Sequence, residues 1–221
     1  MGRALIIGGS GGIGHAVVSA ANRRGDKVIA LSRSMNQFDI TDEASVEHHL
    51  GGLQSPFDLV FVATGALEID GAAPEKTIKA VSKNAMLDQF ALNAVGPALV
   101  LRHAARLLPR DRRSVVAVLS ARVGSIGDNR IGGWVSYRSA KAALNQVVRT
   151  TAIELGRTHK QAICVALHPG TVATAFTEKY LGRHPAVTPI EAAENLLGTI
   201  ESLSLAQSGG FFDYAGQVVA W

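Results

Sequence analysis

The sequence predicts an α/β fold with a doubly wound, mostly or fully parallel sheet of about seven strands, in one domain spanning residues 1–221. Three observations predict it. Short aliphatic and β-branched runs lack polar alternation, as in strands buried on both faces. Stretches of helical period separate these runs. A glycine cluster, Gly8-Gly9-Ser10-Gly11-Gly12-Ile13-Gly14, follows the first run directly. Right-handed crossovers then give the Rossmann type.

Residues 3–7 form the first apolar strand, and 12–24 read as a helix. Residues 27–31 are a second strand and 36–39 a candidate short third one. Thr41-Asp42-Glu43-Ala44 opens a helix with capping residues and early acids. Residues 57–63 are the next strand, centred on Leu59-Val60-Phe61-Val62. Residues 86–108 have helical period, with Gly96-Pro97 expected to bend or interrupt them. A strand over 114–119, a long helix over 136–157 and a strand over 162–167 follow. Pro189 begins another helix near its first position, and 210–214 is a final strand.

With 47% hydrophobic residues the chain has material for a core and is not of the disordered class. No apolar run reaches the roughly 18 to 20 residues that span a bilayer, so no membrane partner is expected. Met1-Gly2-Arg3 leads straight into a strand with no secretory pattern, and a cytoplasmic location is expected. Cys164 is the one cysteine, so an intrachain disulfide is excluded; its apolar strand reads as packing for the thiol. The net charge is +4, but the basic residues are scattered apart from Arg110-Asp111-Arg112-Arg113, a solvated turn without aromatic platforms. Nucleic acid is therefore not expected. His48 and His49 are adjacent on a helix and do not converge, so no metal site is expected.

Gly8, Gly12 and Gly14 give the spacing for a tight turn, a close backbone approach to a pyrophosphate, and close helix–strand packing. The following helix would point its amides and positive dipole end at the phosphates. An NAD site usually ends the second strand with an acid for the ribose 2′-hydroxyl. Here that strand ends Ala30-Leu31-Ser32-Arg33-Ser34, and no acid occurs between Asp26 and Asp39. Arg33 with the Ser32 hydroxyl suits a 2′-phosphate, so NADP(H) is favoured over NAD(H). Asp39-Ile40 is placed at the adenine pocket.

Tyr137 and Lys141 are four residues apart and share one helix face. A phenol that acts as general acid in reduction and base in oxidation should titrate nearer the working pH than about 10. A neighbouring ammonium group would lower it by favouring phenolate.

At these residues the chain resembles the short-chain dehydrogenases/reductases, over nearly all of its length. Ile7-Gly8 to Gly14 resembles the family's T-G-x-x-x-G-I-G, with Ile7 in place of Thr. Ala63-Thr64-Gly65 resembles its N-A-G, with Ala63 in place of Asn. The resemblance makes Asn93 the asparagine that helps hold a relay water and the lysine. It makes Tyr137 and Lys141 the catalytic pair. His168-Pro169-Gly170-Thr171-Val172-Ala173-Thr174 resembles the P-G-x-V-x-T segment along the nicotinamide, which brings in Pro169, Gly170, Thr171, Val172 and Thr174. Within the family, residues 119–130 and Gly132-Gly133-Trp134 resemble the C-factor and sniffer-like carbonyl reductase branch.

One departure stands out. The family's catalytic serine, three residues before a glycine, falls on Ala121 when counted back from Gly124. Ser120 and Ser125 are the nearby hydroxyls, and Ser120 is favoured as the group that polarises a carbonyl. His168 reads as a strand-end residue rather than a proton donor. Trp134 is either a wall of the substrate pocket or packing, and residues 176–185 read as a short lid. The cofactor set is then Gly8, Ser10, Gly11, Gly12, Ile13, Gly14, Ser32, Arg33, Asp39, Ile40, Ala63, Thr64, Gly65, Tyr137, Lys141 and the 169–174 segment. The catalytic set is Tyr137, Lys141, Asn93 and Ser120.

Two functions are consistent with these residues. One is NADP(H)-dependent hydride transfer between nicotinamide and a small carbonyl or alcohol. The other is a dinucleotide-binding signalling or scaffold protein of C-factor type with little turnover. The apolar helices over 86–108 and 136–157 suit a homodimer or homotetramer.

Overall fold

The computed structural model describes residues 2–174, 177 and 186–221. Six strands form one sheet: β1 (Arg3–Ile7), β2 (Lys27–Leu31), β3 (Leu59–Val62), β4 (Ser114–Leu119), β5 (Ala162–His168) and β6 (Phe211–Asp213). Their order is β2-β1-β3-β4-β5-β6, and every neighbouring pair is parallel.

The absence of polar alternation has a direct structural cause. Leu5 and Ile7 of β1, with Val60 and Val62 of β3, face one core. That core is closed by α3 (Glu43–Gly51), α5 (Gly96–Arg102) and α7 (Val135–Thr158) through Leu50, Val100 and Leu144. Ala4, Ile6 and Phe61 face the other core, closed by Val17 of α1 (Gly12–Arg23) and Leu196 of α8 (Pro189–Ser202). β1, β3, β4 and β5 therefore bury both sets of their side chains, while the edge strand β2 is half-buried up to Leu31. The chain runs from β1 outward to β2, then returns to the other side of β1 at β3. That reversal opens a crevice at the carboxyl ends of the strands, where ligands of such sheets bind.

The expected third strand does not form over residues 36–39, so the sheet has six strands rather than about seven. Local bonding explains the difference. Ser32 caps a single helical turn, α2 (Arg33–Asn36), and Gln37 turns left-handed at φ 58°. The amide of Asp39 then bonds to the Ser45 hydroxyl at 3.0 Å. The remaining elements fall where the periodicity places them within a residue or two, except that the helical stretch expected from 86 begins at Lys83. Asp42 caps α3 through the Ala44 amide, and Thr188 and Glu191 form a reciprocal cap on α8.

Gly96-Pro97 has the expected effect in a specific form. The helical stretch divides into α4 (Lys83–Phe90), a π-helical turn over Ala91–Val95, α5, and α6 (Ala104–Leu107). Pro97 has no amide hydrogen to give to the carbonyl of Asn93, so the turn that carries Asn93 widens.

Candidate active site

β1 ends at Ile7, and Gly8 turns the chain with φ +86°. The amides of Gly8 and Gly9 both donate to the Leu31 carbonyl, at 2.7 and 3.3 Å, which ties the loop to the end of β2. Gly11 is the N-cap of α1 and brings no capping side chain, and no acid occupies the first turn. The amides and positive dipole end at this terminus are left for a ligand. A Cβ on Gly12 would lie 2.6 Å from the Thr174 methyl carbon, and one on Gly14 would meet the backbone of Gly8. The loop is thus a cradle in which backbone replaces side chain, and it fits a dinucleotide pyrophosphate. Ser10 is exposed at its tip.

At the end of β2, the Ser32 hydroxyl accepts from the Met35 amide at 3.3 Å. Asp39 accepts from the amide and hydroxyl of Thr41, at 2.9 and 2.7 Å, and these bonds hold its carboxyl below the usual range. Ile40 is buried against Gly96. Ser32, Asp39 and Ile40 are therefore engaged within the fold. Arg33 is exposed and makes no ion pair among the described residues.

The crevice itself is a cleft of about 470 Å³. Gly11, Gly12 and Ile13 line one side, with Ala63-Thr64-Gly65 after β3 beside them. Ser120 and Ala121 after β4 and Tyr137 and Lys141 of α7 line another side. Pro169, Gly170, Val172 and Thr174 complete it after β5. Gly8, Ser10, Gly14, Ser32, Arg33, Asp39, Ile40, Asn93 and Thr171 are not among its walls.

Tyr137 and Lys141 are 6% and 3% exposed. The Lys141 ammonium nitrogen donates to the Leu119 carbonyl at 3.1 Å and lies 5.9 Å from the centre of the Tyr137 ring. Gly124 lets the Arg122–Gly124 turn press on this helix, since a Cβ there would lie 2.7 Å from Lys141 Cβ. The electrostatics differ from the expected lowering of the phenol. Burial pushes the Tyr137 phenol above its ordinary value and lowers Lys141 to about 7. Desolvation disfavours the charged form of each, so both groups favour their neutral forms.

This has a measurable consequence for stability. With Lys141 at about 7 folded and near 10.5 unfolded, the unfolded chain holds the extra proton between those values. Stability should therefore rise from about pH 7 to about pH 10, with a slope of up to ~1.4 kcal/mol per pH unit from this group. Above the ordinary phenol value of 10.0 the slope reverses, because the unfolded chain loses a Tyr137 proton that the folded chain keeps. Urea unfolding across this range checks it. Lys141→Met should remove the rise, and an unchanged slope in that variant would assign the effect elsewhere.

Asn93 is fully buried on the π-helical turn. Its Oδ1 accepts from the Ala66 amide at 3.3 Å, and its Nδ2 donates to the Ala66 carbonyl at 3.0 Å and to Gln89 Oε1 at 2.7 Å. A Cβ on Gly65 would stand 2.8 Å from Asn93 Oδ1 and 3.2 Å from Lys141 Nζ. The asparagine oxygen and the lysine nitrogen thus both flank Gly65, and Asn93 is not part of the cleft wall. Gln89, which orients it, lies one helical turn before Asn93, a spacing that puts the two on one helix face.

Ser120 reaches the cleft, but its hydroxyl donates to Asn145 Oδ1 at 2.6 Å. Ser125 is buried, accepts from the Asp128 amide at 3.1 Å, and does not line the cleft. Ala121 lines it in the place expected for a serine. His168 lines it too; burial lowers this imidazole to about 4, aided by Arg122 and opposed by Asp213, so it is neutral at ordinary pH. The Trp134 and Tyr137 rings lie 6.4 Å apart, and Trp134 is not part of the cleft wall. Apart from Thr177, which lines the cleft, the segment read as a lid lies outside the described residues. The Cys164 thiol is buried and pushed up to about 12, as for a packed side chain. No group of three metal-ligating side chains occurs among the described residues, and no described helix is long and apolar enough to cross a membrane.

Comparison with known proteins adds a family and several relatives. Residues 13–207 match a family model described as enoyl-(acyl carrier protein) reductase. A 1-hydroxy-2-glutathionyl-2-methyl-3-butene dehydrogenase from Rhodococcus sp. (strain AD45) is 30% identical, with 100% of each chain covered. The C-signal protein of Myxococcus xanthus is 36% identical over 140 residues, which is 62% of this chain and 78% of that one. Among solved structures, a short-chain dehydrogenase/reductase from Burkholderia multivorans with bound NADP superposes with a TM-score of 0.78 at 27% identity, covering 100% and 99% of the two chains. The carbonyl reductase Sniffer of D. melanogaster shares the fold, with a TM-score of 0.81 at 22% identity over all of both chains.

Proposed function

Since the chain belongs to the short-chain dehydrogenase/reductase family and is an NAD(P)-dependent oxidoreductase, we propose that it interconverts small carbonyl compounds and alcohols with NADP(H), using Tyr137 as general acid and base. One observation carries the reading: the glycine cradle and the buried Tyr137–Lys141 pair open onto the same cleft. A screen of cofactor oxidation over aldehydes, ketones and quinones tests it.

When bound, the dinucleotide supplies or accepts the hydride. Gly11, Gly12 and Ile13 would hold its pyrophosphate with backbone amides, and Ser10 extends this edge. Ala63 to Gly65 and the 169–174 segment would flank the rest. Tyr137 moves the proton at its Oη atom. Lys141 stands beside the phenol and holds the end of β4 through Leu119. Asn93 fixes the 65–66 turn between them. Ser120 can polarise a carbonyl only by giving up its bond to Asn145, so its contribution is smaller than that of Tyr137.

Cofactor choice rests on Arg33. It is exposed and without an ion pair among the described residues, at the strand end where an NAD site carries an acid. The NADP-bound Burkholderia relative favours the same choice. Arg33→Ala should remove roughly 1.5 to 3 kcal/mol of the preference for NADPH through a lost charge-assisted hydrogen bond. Fluorescence titration with both cofactors measures it. Equal dissociation constants in the unmodified protein would contradict the assignment.

Exposed Leu87, Val95 and Ile153 on the α4–α5 and α7 surfaces favour assembly into a homodimer or homotetramer. A second reading, a dinucleotide-binding signalling protein with little turnover, draws on Ala121 and on the likeness to C-signal. Binding of NADPH without oxidation by any compound of the screen would favour it.

A further inference from the structure

Helix α7 begins in an unusual way. Gly132, Gly133 and Trp134 are three consecutive left-handed residues, with φ of 69°, 66° and 51°. Trp134 is the N-cap and brings no side-chain bond to the helix. The first turn is held instead from a distant loop. Glu75, 61 residues earlier and 8% exposed, accepts from the Ser136 amide through Oε2 at 3.2 Å and from the Ser136 hydroxyl through Oε1. Its own carbonyl accepts from the Trp134 amide at 2.5 Å. A carboxylate at this position caps orphan amides and sits at the positive end of the helix dipole.

The next residue is Tyr137, which lines two cavities. One is the large cleft. The other is a pocket of about 10 Å³ behind it, shared with Glu75, Asp88, Gln89 and Ser136. Tyr137 therefore borders both the reaction cleft and a small chamber, lined in part by Ile69, Ala72 and Ala85, that holds the Glu75 carboxylate.

We propose that Glu75 is a positioning residue for the reaction, which caps α7 from the loop after β3, fixes the Tyr137 ring in the cleft wall and sets a negative charge behind it. This rests on the reading of Tyr137 as the proton-transfer group. Burial raises the Glu75 carboxyl, but its bonds from the Ser136 hydroxyl and from the Glu75 and Ser136 amides together outweigh that and hold it below its ordinary value, so the group is anionic at working pH. The titratable groups facing the chamber are Glu75 from the loop, Asp88 from α4 and Tyr137 from α7. Lys141 is one turn further along, on the cleft side. Arg138, on the same turn as Tyr137, is engaged with the carbonyls of Gly133 and Val123. An anion behind the phenol favours its protonated form.

The test compares Glu75→Gln, Glu75→Ala and Ser136→Ala in the full chain. Glu75→Ala should lower the pH-independent kcat about tenfold, with dinucleotide affinity within about twofold of the unmodified protein. Glu75→Gln keeps an acceptor for Ser136 but removes the charge. It should move the midpoint of the pH–kcat profile for alcohol oxidation down by about half a unit. Ser136→Ala should cost little in the Glu75→Ala background, because the two act through one contact. If Glu75→Ala does not fold, Glu75→Gln and Ser136→Ala decide. Folded Glu75→Gln with an unchanged pH midpoint and kcat would overturn the proposal. So would a loss that only tracks the folded fraction. If Tyr137→Phe removes activity while Glu75 variants do not, this proposal fails and the oxidoreductase reading stands. If Tyr137→Phe is fully active, the reading beneath it fails.

Discussion

Tyr137→Phe is expected to lower kcat by at least about a hundredfold and to leave NADPH affinity within about twofold. The substitution removes one oxygen and keeps a ring that is 6% exposed in the cleft wall, so packing is preserved. Proton transfer should then be lost without loss of the cradle, which is built from residues of other loops. Lys141→Ala should reduce both turnover and affinity. It removes the amino group beside the phenol and the bond to Leu119 that holds the end of β4. Ser120→Ala should cost less than Tyr137→Phe, because Asn145 already takes the hydroxyl proton. Steady-state kinetics with a carbonyl identified by the screen measures all three. Wild-type kcat in folded Tyr137→Phe would remove the phenol from the chemistry.

Gly14→Ala is expected to break the cradle. A Cβ there would lie 2.9 Å from the Gly8 carbonyl carbon and closer still to its oxygen. Neither is the end of a flexible side chain. Gly8 is held left-handed, and its amide is bonded to Leu31 at 2.7 Å, so the turn has little freedom to retreat. Overpacking of this kind costs roughly 1 to 3 kcal/mol of stability. The displaced amides should weaken NADPH binding by about ten- to a hundredfold. Gly11→Ala is the contrast, since its Cβ would meet the Gly8 oxygen at an ordinary 3.4 Å and should leave stability nearly unchanged. Calorimetric titration and urea unfolding give both numbers. Unaltered binding by Gly14→Ala would mean that the loop does not hold the dinucleotide.

The strands and long helices were legible because each reflects a local pattern. Leu59-Val60-Phe61-Val62 has no polar alternation because both faces of the strand are buried. The spacing of Tyr137 and Lys141 put them on one face of a helix, and the structure places them in one cleft. What stayed hidden depends on contacts distant in sequence or on competition between local bonds. A third strand over 36–39 was plausible by composition, yet the cap by Ser32 and the left-handed Gln37 divert the chain. Spacing alone could not show that burial, rather than the lysine, governs the phenol. Glu75 and Asn145 carry no motif. Their partners Ser136 and Ser120 are 61 and 25 residues away, and only the fold joins them.

The central claim is hydride transfer between a bound nicotinamide and a carbonyl carbon. The most direct measurement uses NADPH deuterated at the transferring position of C4, together with the carbonyl compound that the protein reduces fastest. Mass spectrometry of the product should show one deuterium on the carbinol carbon, in one stereochemical sense, and at least about a hundredfold less labelled product when Tyr137→Phe replaces the unmodified protein under the same conditions. Tight NADPH binding with no deuterium in the product of any aldehyde, ketone or quinone would contradict the account and leave a dinucleotide-binding protein without this chemistry.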